Sequence, residues 1–76
     1  MNFDYSKLIG RIIEKFGSRR AFAEVCGFTE NTISKKLSGK MAITTNDIIR
    51  WSSPELLDIE MSDVPEYFFA IKVQAS

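Results

Sequence analysis

Of the side chains that carry covalent or acid–base chemistry, the 76-residue sequence holds one thiol, Cys26, and no imidazole. A lone cysteine builds neither a disulfide framework nor a zinc cluster, and without histidine there is no His-based general base or triad. Cys26 lies in an apolar neighbourhood with no partner base, so it reads as a small buried residue rather than a reactive thiol. The pair Gly39-Lys40 lacks the upstream glycine and the following Ser or Thr of a phosphate-binding loop. With no paired carboxylates, metal set or activated nucleophile, the sequence predicts no enzyme, no catalytic residue, no cofactor, no metal and no small-molecule substrate.

What remains is charge. The formal net charge is zero, yet it is unevenly placed. Residues 18–40 hold Arg19, Arg20, Lys35, Lys36 and Lys40 against Glu24 and Glu30, net +3; residues 1–17 are net +1 and residues 41–76 net −4. A basic middle and an acidic C-terminal half imply two surfaces for two partners. No stretch has the uninterrupted apolar run of a signal peptide or membrane span, so the expectation is a cytoplasmic protein with no membrane contact.

The elements that must position the basic stretch follow from spacing. Tyr5, Leu8, Ile9, Ile12, Ile13 and Phe16 share one face of a first helix, with Asp4 as N-cap and Gly17 as stop; Gly10 inside it suggests a close helix crossing. Ser18 caps a second helix that turns Phe22, Ala23 and Val25 or Cys26 inward and ends at Gly27. Thr29 caps a third that runs through Ile33 to Leu37 and ends at Gly39. Thr44 and Asp47 form a capping box for a fourth helix bearing Ile48, Ile49 and Trp51. At Pro54 the chain either restarts a short turn capped by Ser53 or continues as a kinked helix. Ser62 or Asp63, with Pro65, opens a last short helix through Val64, Tyr67 and Phe68.

Phe69, Ile71 and Val73 then alternate with Ala70, Lys72 and Gln74, the pattern of a half-buried extended tail, which is expected to pack over the helices rather than pair with a second copy. Three consecutive aromatics, Tyr67, Phe68 and Phe69, cannot all face inward, so this group is a candidate protein-partner surface. Phe16, Phe22, Phe28 and Trp51 read as core. The expected fold class is all-α: one domain, residues 1–76, a compact bundle of about five short helices with a central helix-turn-helix at 18–40 and an extended tail at 69–76.

Within Ser18–Lys40 each special residue has a physical reason. Ala23 is small where the third helix crosses, Gly27 supplies positive φ in the turn, and Ile33 and Leu37 fill the core under the third helix. This string resembles the phage-repressor type of helix-turn-helix family, the small repressor and Cro-like proteins. Lys36 departs from the family, which often has a larger, partly buried side chain there. The later segments Leu57-Asp-Ile59, Val64-Pro-Glu-Tyr67-Phe-Phe69 and Val73-Gln74 are similar to a subgroup from temperate phages of Gram-positive bacteria, containing Cro-like regulators and modulators of repression.

The resemblance implies roles position by position. Thr29, Glu30, Asn31, Ser34, Lys35 and Ser38 would face the major groove of an operator, where Asn pairs with adenine, Lys with guanine and Glu with cytosine. Arg19, Arg20 and Lys40 would grip phosphates. The implied function is a transcriptional regulator of the lysis/lysogeny switch that binds double-stranded operator DNA, as a homodimer or beside the phage repressor. The alternative is an anti-repressor that binds the repressor protein and masks its DNA-reading surface, a reading that zero net charge favours.

Overall fold

A computed structural model of the chain describes residues 3–71. Five α-helices follow in order: α1 (Ser6–Phe16), α2 (Arg19–Cys26), α3 (Glu30–Leu37), α4 (Thr45–Trp51) and α5 (Val64–Phe68), the last entered through a 3-10 turn at Met61–Asp63. The all-α expectation stands, and the caps account for most of the boundaries. Ser18 Oγ accepts from the Ala21 N–H at 3.1 Å, and Thr29 Oγ1 from the Thr32 N–H at 3.1 Å. Thr44 and Asp47 form the reciprocal box: Asp47 N–H donates to Thr44 Oγ1 at 3.1 Å, and Thr44 N–H to Asp47 Oδ2 at 3.0 Å. Each bond satisfies a backbone donor that a helix N-terminus leaves without an internal partner.

The core is aromatic and central. Leu8 and Ile12 of α1, Phe22, Ala23 and Cys26 of α2, Ile33 and Leu37 of α3, and Trp51 of α4 converge with Leu56, Leu57, Ile59, Val64 and Phe68. Phe22 stands between Phe16 and Trp51, with ring centroids 5.3 and 5.2 Å away, and Trp51 meets Phe68 at 6.3 Å. Such tilted and edge-on pairs add stabilisation beyond the area they bury.

Several local expectations are corrected. The N-cap position of α1 is Tyr5, not Asp4; Asp4 Oδ1 still accepts from the Ser6 N–H at 2.9 Å, so its capping role is displaced by one residue. A Cβ at Gly10 would meet nothing within 4 Å, so no close helix crossing explains that glycine. Ile13 and Ile49 are exposed, because the α1 and α4 stripes are narrower than expected; of the alternatives Val25 and Cys26, it is Cys26 that α2 turns inward. At Pro54 the chain restarts as a turn. Leu56 and Asp58 N–H both donate to the Ser53 carbonyl, at 3.0 and 2.9 Å, and this returns Leu57 and Ile59 to the core. Asp58 takes φ of +50°, and Arg11 holds this segment from α1 by donating to the Leu57 carbonyl at 2.8 Å and the Asp58 carbonyl at 3.1 Å.

The extended segment after α5 pairs with the residues that precede α1. Ala70 carbonyl accepts from the Asp4 N–H at 2.7 Å, and Ile71 forms an isolated antiparallel bridge with Phe3. The two ends of the described segment thus meet, an association between residues far apart in sequence that alternation alone cannot specify. The rest of the expected tail, including Val73 and Gln74, lies outside the described residues.

Candidate nucleic-acid or protein interface on helices α2 and α3

The α2–α3 unit is built on a tight link of three residues, Gly27, Phe28 and Thr29. Gly27 adopts φ of +80°, and Phe28 N–H returns to the Ala23 carbonyl at 2.9 Å, which closes the end of α2. A Cβ at position 27 would meet no heavy atom within 4 Å, so a substitution there is penalised by backbone strain alone. Left-handed geometry costs an L-residue about 1–2 kcal/mol, and a β-branched one more. Gly27→Ala is therefore expected to lower stability by about 1–2 kcal/mol and Gly27→Val by more, read by urea unfolding. Equal stability of Gly27→Val and the parent would show that the turn does not need this conformation.

From this turn α3 projects with Ile33 and Leu37 buried and the opposite side open. Of the residues expected to contact a partner, Glu30, Asn31 and Lys35 are exposed along α3, Ser34 is half-buried, and Thr29 and Ser38 are exposed at its ends. Two of these hydroxyls are already engaged: Thr29 as the cap, and Ser38 Oγ in donating to the Lys35 carbonyl at 3.1 Å. At the start of α2, Arg20 is exposed beside Glu24 at 3.7 Å, and Arg19 is half-buried; Lys40 is exposed after α3. Pairs so open to solvent contribute little to stability, so Arg20 remains available to a partner.

Lys36 does not belong to this open face. It is only 5 % exposed, and its ammonium donates to Asp47 Oδ2 at 2.7 Å and to the Ala42 carbonyl at 3.0 Å, 5.4 Å from the centre of the Phe28 ring. The sequence carried a signal for this: Lys36 follows Ile33 by three residues on the inward stripe of α3. Burial pushes the Asp47 carboxyl up, but the Lys36 ammonium and the Thr44 amide and hydroxyl together outweigh it and hold Asp47 below its ordinary value. With Lys36 internal, the basic unit presents four cations, Arg19, Arg20, Lys35 and Lys40, against Glu24 and Glu30, a net of +2 rather than +3.

The other candidate surface is divided. Phe68 is buried in the core and is withdrawn from the proposed partner surface, because α5 turns it toward Trp51. Tyr67 is half-buried under the Lys7 ammonium, 4.9 Å from the ring centre, whereas Phe69 is 48 % exposed with its ring against Phe3. Beside it, a groove of about 660 Å³ runs from Phe3 and Tyr5 past Ile9 and Leu37 to Met41 and Ile43, and among the described residues no Lys or Arg lines it. Burial pushes the Cys26 thiol up to about 11, far from the range of a nucleophile. Among the described residues no group of His, Cys, Asp or Glu could hold a metal ion, and no helix is long and apolar enough to cross a membrane.

A family model described as a protein of unknown function, DUF739, matches residues 1–71. The chain belongs to this family. Among solved structures it is similar to the solution structure of the modulator of repression (MOR) of the temperate bacteriophage TP901-1 from Lactococcus lactis. The two are 38% identical, the match covers 97% of each chain, and the TM-score is 0.78. No curated protein matches. At that identity over that length the chain is homologous to a phage regulatory protein.

Proposed function

We propose that this chain is a modulator of repression in the lysis/lysogeny switch of a temperate phage, acting by binding the phage repressor through the exposed face of α2 and α3. The observation that carries this reading is the full-length similarity to a modulator of repression. The electrostatics agree with it. A protein that grips six to ten phosphates draws its affinity from counterion release, and a unit with net +2 on a chain of zero net charge has little of that footprint. Glu30 and Asn31 beside Lys35 suit a mixed-charge protein surface, where a few central side chains dominate binding.

The second reading, Cro-like binding of operator DNA, is supported by the three-residue link of the helix-turn-helix, with Asn31 and Lys35 open on α3 and Arg20 at the start of α2. One titration separates the two: the pure chain against the repressor of the same switch and against its promoter DNA, at low and physiological salt. A stable complex with repressor in the absence of DNA, weakened at least tenfold in an Asn31→Ala/Lys35→Ala double variant, is the expected result, on the scale of a hot-spot loss of about 1–2 kcal/mol or more. Tight DNA binding that falls steeply with salt, with Asn31→Ala losing base preference and Arg20→Ala weakening all sequences alike, would instead establish the operator binder.

A further inference from the structure

One buried ammonium joins four parts of the molecule. Lys36 leaves α3 toward the interior, takes the Ala42 carbonyl from the following loop at 3.0 Å and Asp47 from α4 at 2.7 Å, and lies over Phe28 from the turn before α3. Asp47 Oδ2 also accepts the Thr44 N–H at 3.0 Å, so the same carboxylate fixes the entry of α4. On the other side of this helical turn the Lys35 carbonyl accepts from both Lys40 N–H, at 2.9 Å, and Met41 N–H, at 3.1 Å. The loop from Gly39 to Ile43 is thus wrapped on the end of α3, held by Lys35 through its backbone and by Lys36 through its side chain. An apolar side chain at 36 could fill the same space, but it would hold neither Ala42 nor Asp47.

We propose that Lys36 is a positioning residue of the contact face: by holding Ala42 and Asp47 it seats the 39–43 loop on α3 and so sets Lys35, Ser38 and Lys40 in register with Glu30 and Asn31. The inference rests on the α2–α3 face being the working surface. It also gives Lys36 a reason to be a lysine. A charged pair in a core is a costly way to gain stability, whereas a directional pair specifies one arrangement of the elements it joins.

Lys36→Met tests this, since it retains the packing volume and leaves Asp47 bonded to the Thr44 amide. In the intact chain, amide exchange at Lys40 and Met41 is expected to accelerate at least tenfold, while Phe28 and Gly17, whose amides bond to Ala23 and Ile13, stay within twofold. Affinity of the folded fraction for the repressor, or for promoter DNA if that is the partner, is expected to fall at least tenfold. A merely structural lysine would lower the unfolding midpoint and leave the binding of the folded fraction unchanged; that result, or unaltered exchange at Lys40 and Met41, overturns the proposal. Should Lys36→Met not fold, the double variant Lys36→Met/Asp47→Asn carries the same two measurements, because it removes the ammonium without leaving a buried carboxylate unpaired, and the side-chain oxygen at 47 can still accept from Thr44. Should the parent chain bind neither repressor nor DNA, the functional reading fails, and exchange at Lys40 and Met41 still decides whether Lys36 seats the loop.

Discussion

Trp51→Ala is expected to abolish cooperative folding near room temperature or to lower the thermal midpoint by more than about 10 °C, since truncating a buried aromatic costs about 3–5 kcal/mol. A chain of this length has a total stability of about 4–11 kcal/mol at 0.05–0.15 kcal/mol per residue, so a single truncation removes a large share of it. The position is demanding because Trp51 is fully buried between Phe22 and Phe68, and through them it joins α4 to α2 and α5. Removing it takes away the wall against which α2 is seated, so the α2–α3 face loses its support together with the core. Trp51→Phe is expected to cost much less: among the described residues the indole N–H has no hydrogen-bond partner, so the exchange deletes no bond there and removes a buried donor. Far-UV circular dichroism during thermal and urea unfolding checks both variants, and a cooperative, parent-like transition in Trp51→Ala would show that the core repacks without it.

Asp47→Ala is expected to destabilise the fold by about 3–5 kcal/mol, the scale of breaking a buried ion pair from one side. Two losses coincide. Lys36 is left with the Ala42 carbonyl as its hydrogen-bond partner in a site with little access to water, and Thr44 loses the partner of its capping box. The pair also sets a pH dependence with a definite sign. Because the folded carboxyl titrates below its ordinary value, its stabilisation is fully present above the unfolded value of about 3.9 and is lost as pH falls through the lower folded value. The parent is therefore expected to lose stability in acid more steeply than Asp47→Asn, in which this proton no longer titrates. Parallel acid unfolding curves for the two would show that the pair contributes nothing.

Much of the candidate face was legible before any tertiary contact was known, because it depends on short-range chemistry. Ser18, Thr29 and Thr44 are capping types at the right distance from apolar periods, and Gly27 and Gly39 both take positive φ where α2 and α3 end. Less legible were the inward turn of Phe68, the exposure of Ile13 and Ile49, and the absence of a close neighbour at Gly10. Each depends on which flank of a helix another element covers. Periodicity defines an apolar stripe but does not say how wide a strip of it the neighbours will bury.

Legible from the residues alone were an all-α chain of about five short helices, a link of three or four residues between the second and third, and a basic stretch at 18–40. These follow from backbone capping, 3.6-residue periodicity and the conformational freedom of glycine, all of which act within a few residues. Only the tertiary structure decided that Lys36 belongs to the interior with Asp47, that Arg11 holds the turn after Trp51, and that Phe3 meets Ile71 across the whole length of the described chain. Those are pairings between residues 11 to 68 positions apart. The physical reason is that a charged side chain will accept burial only where a partner of opposite charge or a free carbonyl is delivered to it by another element, and sequence spacing does not contain that delivery.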